Sequence, residues 1–201
     1  MEKINEIGGS LSKIKKSHLL VFFAMVGITI LFLTLLMAYS FSKPTWTWKQ
    51  FSFPKVFLIS TFVLVASSYT ANKSISYFKK DEVIKFSKYI KYTLYLGLGF
   101  VFLQIIGWFQ LTQQGIYLAG KPDGSYLYII SALHALHLIV GVSILTYIYF
   151  KTRGLISDPV KKLMYFSDKN ELNFLQLSTV YWHFVDILWI VLLLFFLWNH
   201  L

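Results

Sequence analysis

Hydrophobic positions along this chain gather in long runs and show no strict alternation with polar ones. Five runs of about 20 residues stand out, at 18–39, 54–71, 92–113, 126–150 and 176–198. A helix rises about 1.5 Å per residue, so a run of this length matches the hydrocarbon core of a bilayer. The second run is the shortest, at 18 residues. The pattern predicts an all-α fold, a polytopic membrane bundle of five transmembrane helices forming one transmembrane domain over 1–201. Lys13, Lys15 and Lys16 precede the first run much as basic residues precede a signal peptide. That run is too long for a signal core and no small-residue cleavage site follows it, so a retained helix is expected. Ser157-Asp158-Pro159 reads as a turn between the last two runs.

Five alternating spans place the N-terminus, the 72–91 link and the 151–175 link on one side. Of the 19 Lys and Arg, all but Lys43, Lys49, Lys55 and Lys121 fall on that side. Basic residues concentrate in cytoplasmic loops, so the N-terminus is expected in the cytoplasm. Composition agrees: 56% of residues are hydrophobic, 14% are charged, and the net charge is +10. Intrinsic disorder is excluded by the apolar content. Attraction to anionic headgroups accounts for the basic loops without a nucleic-acid partner. Trp46, Trp48, Trp108 and Trp198 fall near the predicted outer boundary, where indole rings favour the interface.

The chain has no Cys, which removes disulfides, Cys-ligated zinc, iron–sulfur clusters and c-type haem attachment. Candidate chemistry rests on intramembrane polar residues. Asp186 is the only acidic residue inside a predicted span. His183 lies one turn earlier and Trp189 one turn later on the same face. Two readings fit: a polar clasp, in which either residue bonds the other or a neighbouring helix, and a proton relay or metal second shell. His134 and His137 form an H-x-x-H pair near mid-span, flanked by the small residues Ser131, Ala132, Ala135 and Gly141. They suit close helix packing or, joined by His183, metal or haem ligation. No nucleophile pattern and no phosphate-binding glycine loop is present.

Tyr181-Trp182-His183-Phe184-Val185-Asp186-Ile187-Leu188-Trp189 resembles the last-helix signature of subunit III of haem–copper oxidases. Leu133-His134-Ala135-Leu136-His137-Leu138-Ile139-Val140-Gly141 resembles the family's penultimate-helix motif, in the right order and spacing. Ser67, Ser68 and Thr70, with Thr93, Gly97 and Phe100, agree more weakly. The resemblance runs from about Leu19 to Trp198 and is to the five-helix bacterial form. It implies a non-catalytic, stabilising subunit of a proton-pumping respiratory oxidase in a bacterial cytoplasmic (inner) membrane. It would carry no haem, copper or other metal itself. It would pack on subunit I, which holds the redox centres, alongside other oxidase subunits, and would bind structural phospholipids. It would also sustain proton uptake at the cytoplasmic side and could join a larger supercomplex. Related subunits accompany quinol oxidases and nitric-oxide reductases, and a small haem-b electron carrier is a more distant alternative. Many members carry a Glu in the first and third spans. Here Gly27-Ile28-Thr29 and Gln104 or Gly107 stand there, leaving Asp186 and the histidines as the titratable interior.

Overall fold

The computed structural model describes residues 2–42, 54–119, 122–155 and 159–200, with the side chains of 2–15, 122–123 and 200 excepted. Trp46, Trp48 and the Ser157-Asp158 part of the expected turn lie outside the described residues. The described chain forms six helices. They are α1 (Glu2–Ser42), α2 (Val56–Phe78), α3 (Val83–Gln113), α4 (Pro122–Arg153), α5 (Pro159–Ser167) and α6 (Lys169–His200).

Four stretches are long and apolar enough to cross a membrane: Lys16–Ser42, Val83–Gln113, Gly124–Arg153 and Lys169–Asn199. Helix α2 coincides with the second predicted run but is not among them. Its sequence explains why. Ser60, Thr61, Ser67, Ser68, Thr70 and Ser74 lower its hydropathy, and the turns below show that these hydroxyls face the bundle. The helices also overrun their predicted limits: α1 begins at Glu2, and α3 begins at Val83, where the added turns carry Lys85, Lys88 and Lys91.

Helices α2 and α3 form an antiparallel hairpin. Its link reverses at Asp81, whose φ of 58° lies in the left-handed region that Asp tolerates better than most side chains. At the far end of α3, Gly115 (φ 76°) lets Ile116 N–H return to the Leu111 carbonyl at 3.1 Å and closes the helix. Helix α4 packs on α3, and α6 packs between α2 and α4. Helix α1 lies outside this group, touching α6 and α4. Tyr39 anchors it, with its ring edge-on to Tyr126, Phe195 and Phe196 at 5.2–6.0 Å. Short α5 crosses one end of the bundle and sets Phe166 against Phe78 and Phe86.

Candidate functional site: a polar seam inside the bundle

An apolar interior has no water to satisfy polar groups, so each must find a partner within the protein. Three tryptophans solve this in one way. Trp182 of α6 donates its indole N–H to Ser67 of α2 at 3.0 Å. Trp189 donates to Thr61 at 3.0 Å, and Trp108 of α3 donates to Ser131 of α4 at 2.9 Å. Each accepting hydroxyl gives its own proton to a carbonyl of its helix: Ser67 to Leu64, Thr61 to Phe57, Ser131 to Leu127. The lone pairs are thereby left for the indole. Polar residues that depress the hydropathy of α2 thus join it to α6.

Glycines bring the helices close enough for these bonds. The Trp182 ring lies between α3 and α4. A Cβ at Gly97 would stand 2.7 Å from its Cη2, and one at Gly141 would stand 3.0 Å from its Cε3. Trp182 and Trp189 are each 2% exposed. Trp189 packs on Phe100 at 5.1 Å and His134 at 5.2 Å. Trp108, expected near the outer boundary, is half-buried and bonds inside the bundle. Ser131 sits directly opposite and supplies the acceptor. Trp198, at 86% exposure, does face outward.

The histidines take separate partners. His137 donates Nδ1–H to the Leu133 carbonyl at 2.7 Å and packs edge-on to Phe32 of α1. His134, fully buried, has no hydrogen-bond partner on either ring nitrogen among the described residues. Its ring packs against those of Trp189 and Phe100. His183 bonds across to α2, with Nδ1 to the Ser68 hydroxyl and Nε2 to Asn72 Oδ1 at 3.0 Å. The His183–Asp186 bond within α6 is not made. Of the two clasps open to His183, the one to a neighbouring helix forms, because α2 presents a hydroxyl and an amide to its two ring nitrogens.

Asp186 is buried, and neither carboxyl oxygen has a hydrogen-bond partner among the described residues. Gln104 of α3 donates Nε2–H to Ser60 of α2 at 3.2 Å, and its Oε1 has no hydrogen-bond partner among the described residues. Thr70 and Thr93 share a 2.8 Å hydrogen bond that closes the α2–α3 hairpin. Sequence reasoning missed the indole–hydroxyl bonds and the Gln104–Ser60 contact. The available signal was the coincidence of serines seven apart in α2, at Ser60, Ser67 and Ser74, with tryptophans seven apart in α6, at Trp182 and Trp189.

At the end of the bundle that carries most of the lysines, Lys151 of α4 pairs with Glu171 of α6 at 2.6 Å. Its ammonium also lies over the Tyr165 ring at 5.3 Å. Burial, with the nearby Glu171 charge, pushes the Tyr165 phenol well above its ordinary pKa. A groove of about 600 Å³ opens between α1, α2 and α6. It is lined by apolar residues including Phe22, Met25, Ile75 and Val180, and by the polar side chains His18, Asn72, Gln176 and His183. Among the described residues, no group of three or more His, Cys, Asp or Glu is placed to hold a metal ion.

Long apolar helices joined by inward polar pairs define a multi-pass helical membrane protein. The particular family follows from comparison with known proteins. Residues 17–200 match the family model described as Cytochrome c oxidase subunit III. The chain belongs to that family, which is the subunit III family of haem–copper oxidases. It is 31% identical over 130 residues to "Probable cytochrome c oxidase subunit 3" of Nocardia farcinica, covering 65% of this chain and 59% of that protein. It is 30% identical over 146 residues to "Probable quinol oxidase subunit 3" of Staphylococcus saprophyticus, covering 72% and 66%. A Mycobacterium leprae protein named "Probable cytochrome c oxidase subunit 3" is 30% identical over 132 residues, covering 66% and 60%. The matched stretch thus spans about three-fifths to two-thirds of these relatives.

Proposed function

We propose that this chain is the non-catalytic, stabilising subunit III of a proton-pumping haem–copper oxidase in a bacterial cytoplasmic membrane. It crosses the membrane five times, with its N-terminus in the cytoplasm. The observation that carries this reading is the family match over nearly the whole chain together with a seam whose polar groups join helix to helix. In this role His134, His137, His183, Asp186 and Trp189 are structural, and the haems and copper reside in subunit I. A haem held by His183 is disfavoured, since both ring nitrogens are engaged by α2.

Helix α2 serves as the fifth span. Its 23 residues reach about 35 Å, and its hydroxyl face turns inward while Phe62 and Val65 turn outward. Unique cysteines introduced into a chain that has none would test the topology. Labelling from the cytoplasmic side should reach residues near 80 and 160 and not those near 48 or 121. The groove beside α1 suits the acyl chain of a structural phospholipid, because its walls are apolar and its polar side chains can meet a headgroup.

Purification from native membranes in mild detergent tests the assignment. A haem–copper subunit I should accompany the chain, and its absence overturns the proposal. Relatives named for cytochrome c and for quinol match about equally well. Oxidation of each donor by the purified complex assigns the electron source, which belongs to the partner subunits.

A further inference from the structure

Lysines and tyrosines interleave on one face of the α2–α3 hairpin. Tyr69, Lys73, Tyr77 and Lys80 follow one another at helical spacing along one side of the α2 end. Lys85, Lys88, Tyr89 and Tyr92 do the same at the start of α3. The two sets meet. Tyr77 stacks on Tyr89 with ring centroids 5.0 Å apart, and Tyr89 meets Tyr92 edge-on at 6.1 Å. Lys85 and Lys80 both hold their ammonium groups over the Tyr77 ring, at 5.4 and 5.9 Å. Lys88 lies over Tyr92 at 5.7 Å, and Lys73 over Tyr69 at 5.4 Å.

The order within these last two pairs fixes their depth. Helices α2 and α3 run in opposite directions, yet on both the tyrosine lies toward the apolar run and the lysine one turn toward the hairpin link. Tyr69 is 60% exposed and Tyr92 42% exposed. Tyrosine rings favour the bilayer interface, and lysines one turn beyond them reach the headgroups. The charge here is unbalanced. Glu82 is taken by Lys85 at 2.6 Å, and Asp81 lines the groove beside α5. Among the described residues, no carboxylate forms a salt bridge with Lys73, Lys80 or Lys88. An ammonium seated over a ring still has N–H groups to give to an acceptor. We propose that this tyrosine–lysine face of the α2–α3 hairpin is a binding site for the phosphate headgroup of an anionic phospholipid.

The site is separate from the groove beside α1. Asn72 and Ile75 line that groove, and they lie on another side of α2 from Tyr69, Lys73 and Tyr77. It also asks for more than the general attraction of basic loops to anionic lipid. Lys162 and Lys169 bring the same charge to the same end of the bundle, but from α5 and α6. The aromatic cluster holds its four ammonium groups around joined rings, so a phosphate arriving there meets donors already in place.

Native mass spectrometry of the full chain, stripped of lipid in detergent, tests the site with phosphatidylglycerol and phosphatidylcholine as probes. The first phosphatidylglycerol should bind about tenfold more tightly than the first phosphatidylcholine. Lys73→Gln combined with Lys88→Gln should abolish that preference. Lys162→Gln combined with Lys169→Gln removes the same charge and should leave it intact. Equal affinity for the two lipids overturns the proposal. So does an equal loss in the two double variants, which reduces the preference to net charge. Displacement of the lipid by an equal concentration of inorganic phosphate also overturns it, because the site would then take a free anion. No partner subunit is needed, so failure here leaves the subunit III assignment standing.

Discussion

Helices α1 and α6 are both long and apolar, yet they are used in opposite ways. The apolar window of α1 has the highest mean hydropathy of the four spans, 2.8, and only 6% of it is buried. The window of α6 has a mean hydropathy of 2.2 and is 44% buried. Hydroxyls in the middle of α1 close on their own helix, Thr29 on the Met25 carbonyl, Thr34 on that of Leu31 and Ser40 on that of Leu36, and only near its ends do Ser17 and Ser42 meet α6 and α4. Those on α2 receive indole protons from α6. The difference follows from the solvent. Lipid tails are as apolar as Leu, so apolar surface alone gives two helices no reason to associate. Packing against small residues and polar pairs supply the reason. Hydropathy therefore says that a helix is in the membrane, and polar or small residues within it say what it touches.

The largest expected effect tests whether the seam holds the bundle. Trp182→Ala empties the space between Gly97 and Gly141 and orphans nothing on Ser67, whose proton is already on Leu64. The loss is packing, expected at about 3 kcal/mol. Unfolding in mixed micelles, followed by circular dichroism, would measure it. A loss no greater than that from an exposed residue of α1 would break the contrast between the two helices.

The second effect is smaller and opposite in sign of volume. Gly97→Ala forces a methyl against the Trp182 ring, which Gly141 backs from the other side and Ser67 holds at its indole nitrogen. The ring has nowhere to move, so the cost should be about 1–3 kcal/mol. Pairing the substitution with Trp182→Phe should recover part of it. Equal and additive losses would show that the ring and the glycine do not meet.

Much of this was legible in the sequence, for an identifiable reason. Four of the five runs emerged as spans by length and composition because a 20-residue apolar run has few alternatives. The small-residue face of the penultimate span was readable at Ser131, Ala135 and Gly141, all of which face inward, although Ala132 turns out. What was not legible is pairing between helices. His183 one turn from Asp186 suggests an intrahelical bond, and nothing in that spacing reveals that Ser68 and Asn72 stand ready on α2. Trp108 near a boundary suggests an interface, and nothing in its position reveals that Ser131 of α4 accepts its indole N–H. The second run read as the shortest because it was ended at Ala71, although α2 continues to Phe78, with Ser74 and Phe78 still buried in the bundle.

A third prediction sharpens the comparison at one bond. A double-mutant cycle of Trp189→Phe and Thr61→Val isolates the indole–hydroxyl pair at 3.0 Å. Such bonds in membranes contribute about 0.6 kcal/mol on average. A coupling near zero would assign the α2–α6 association to packing alone, and the polar seam would then reflect satisfaction of buried groups more than adhesion.

The smallest effect is the most discriminating for α1. Phe23→Ala removes a ring that is 63% exposed, so the stability of the isolated chain in lipid should change by less than about 0.5 kcal/mol. Phe32→Ala, on the same helix but buried against His137, should cost several times as much. The two substitutions lie on one helix, so insertion and helix propensity are held nearly constant and only burial differs. Repeating the Phe23 measurement on the chain within its purified complex separates lipid from protein as the outer neighbour of α1. An unchanged small effect means lipid covers that face. A cost that rises to the Phe32 level means a partner subunit does, and the exposed surface of α1 is then buried in the assembly just as the seam of α6 is buried in the chain.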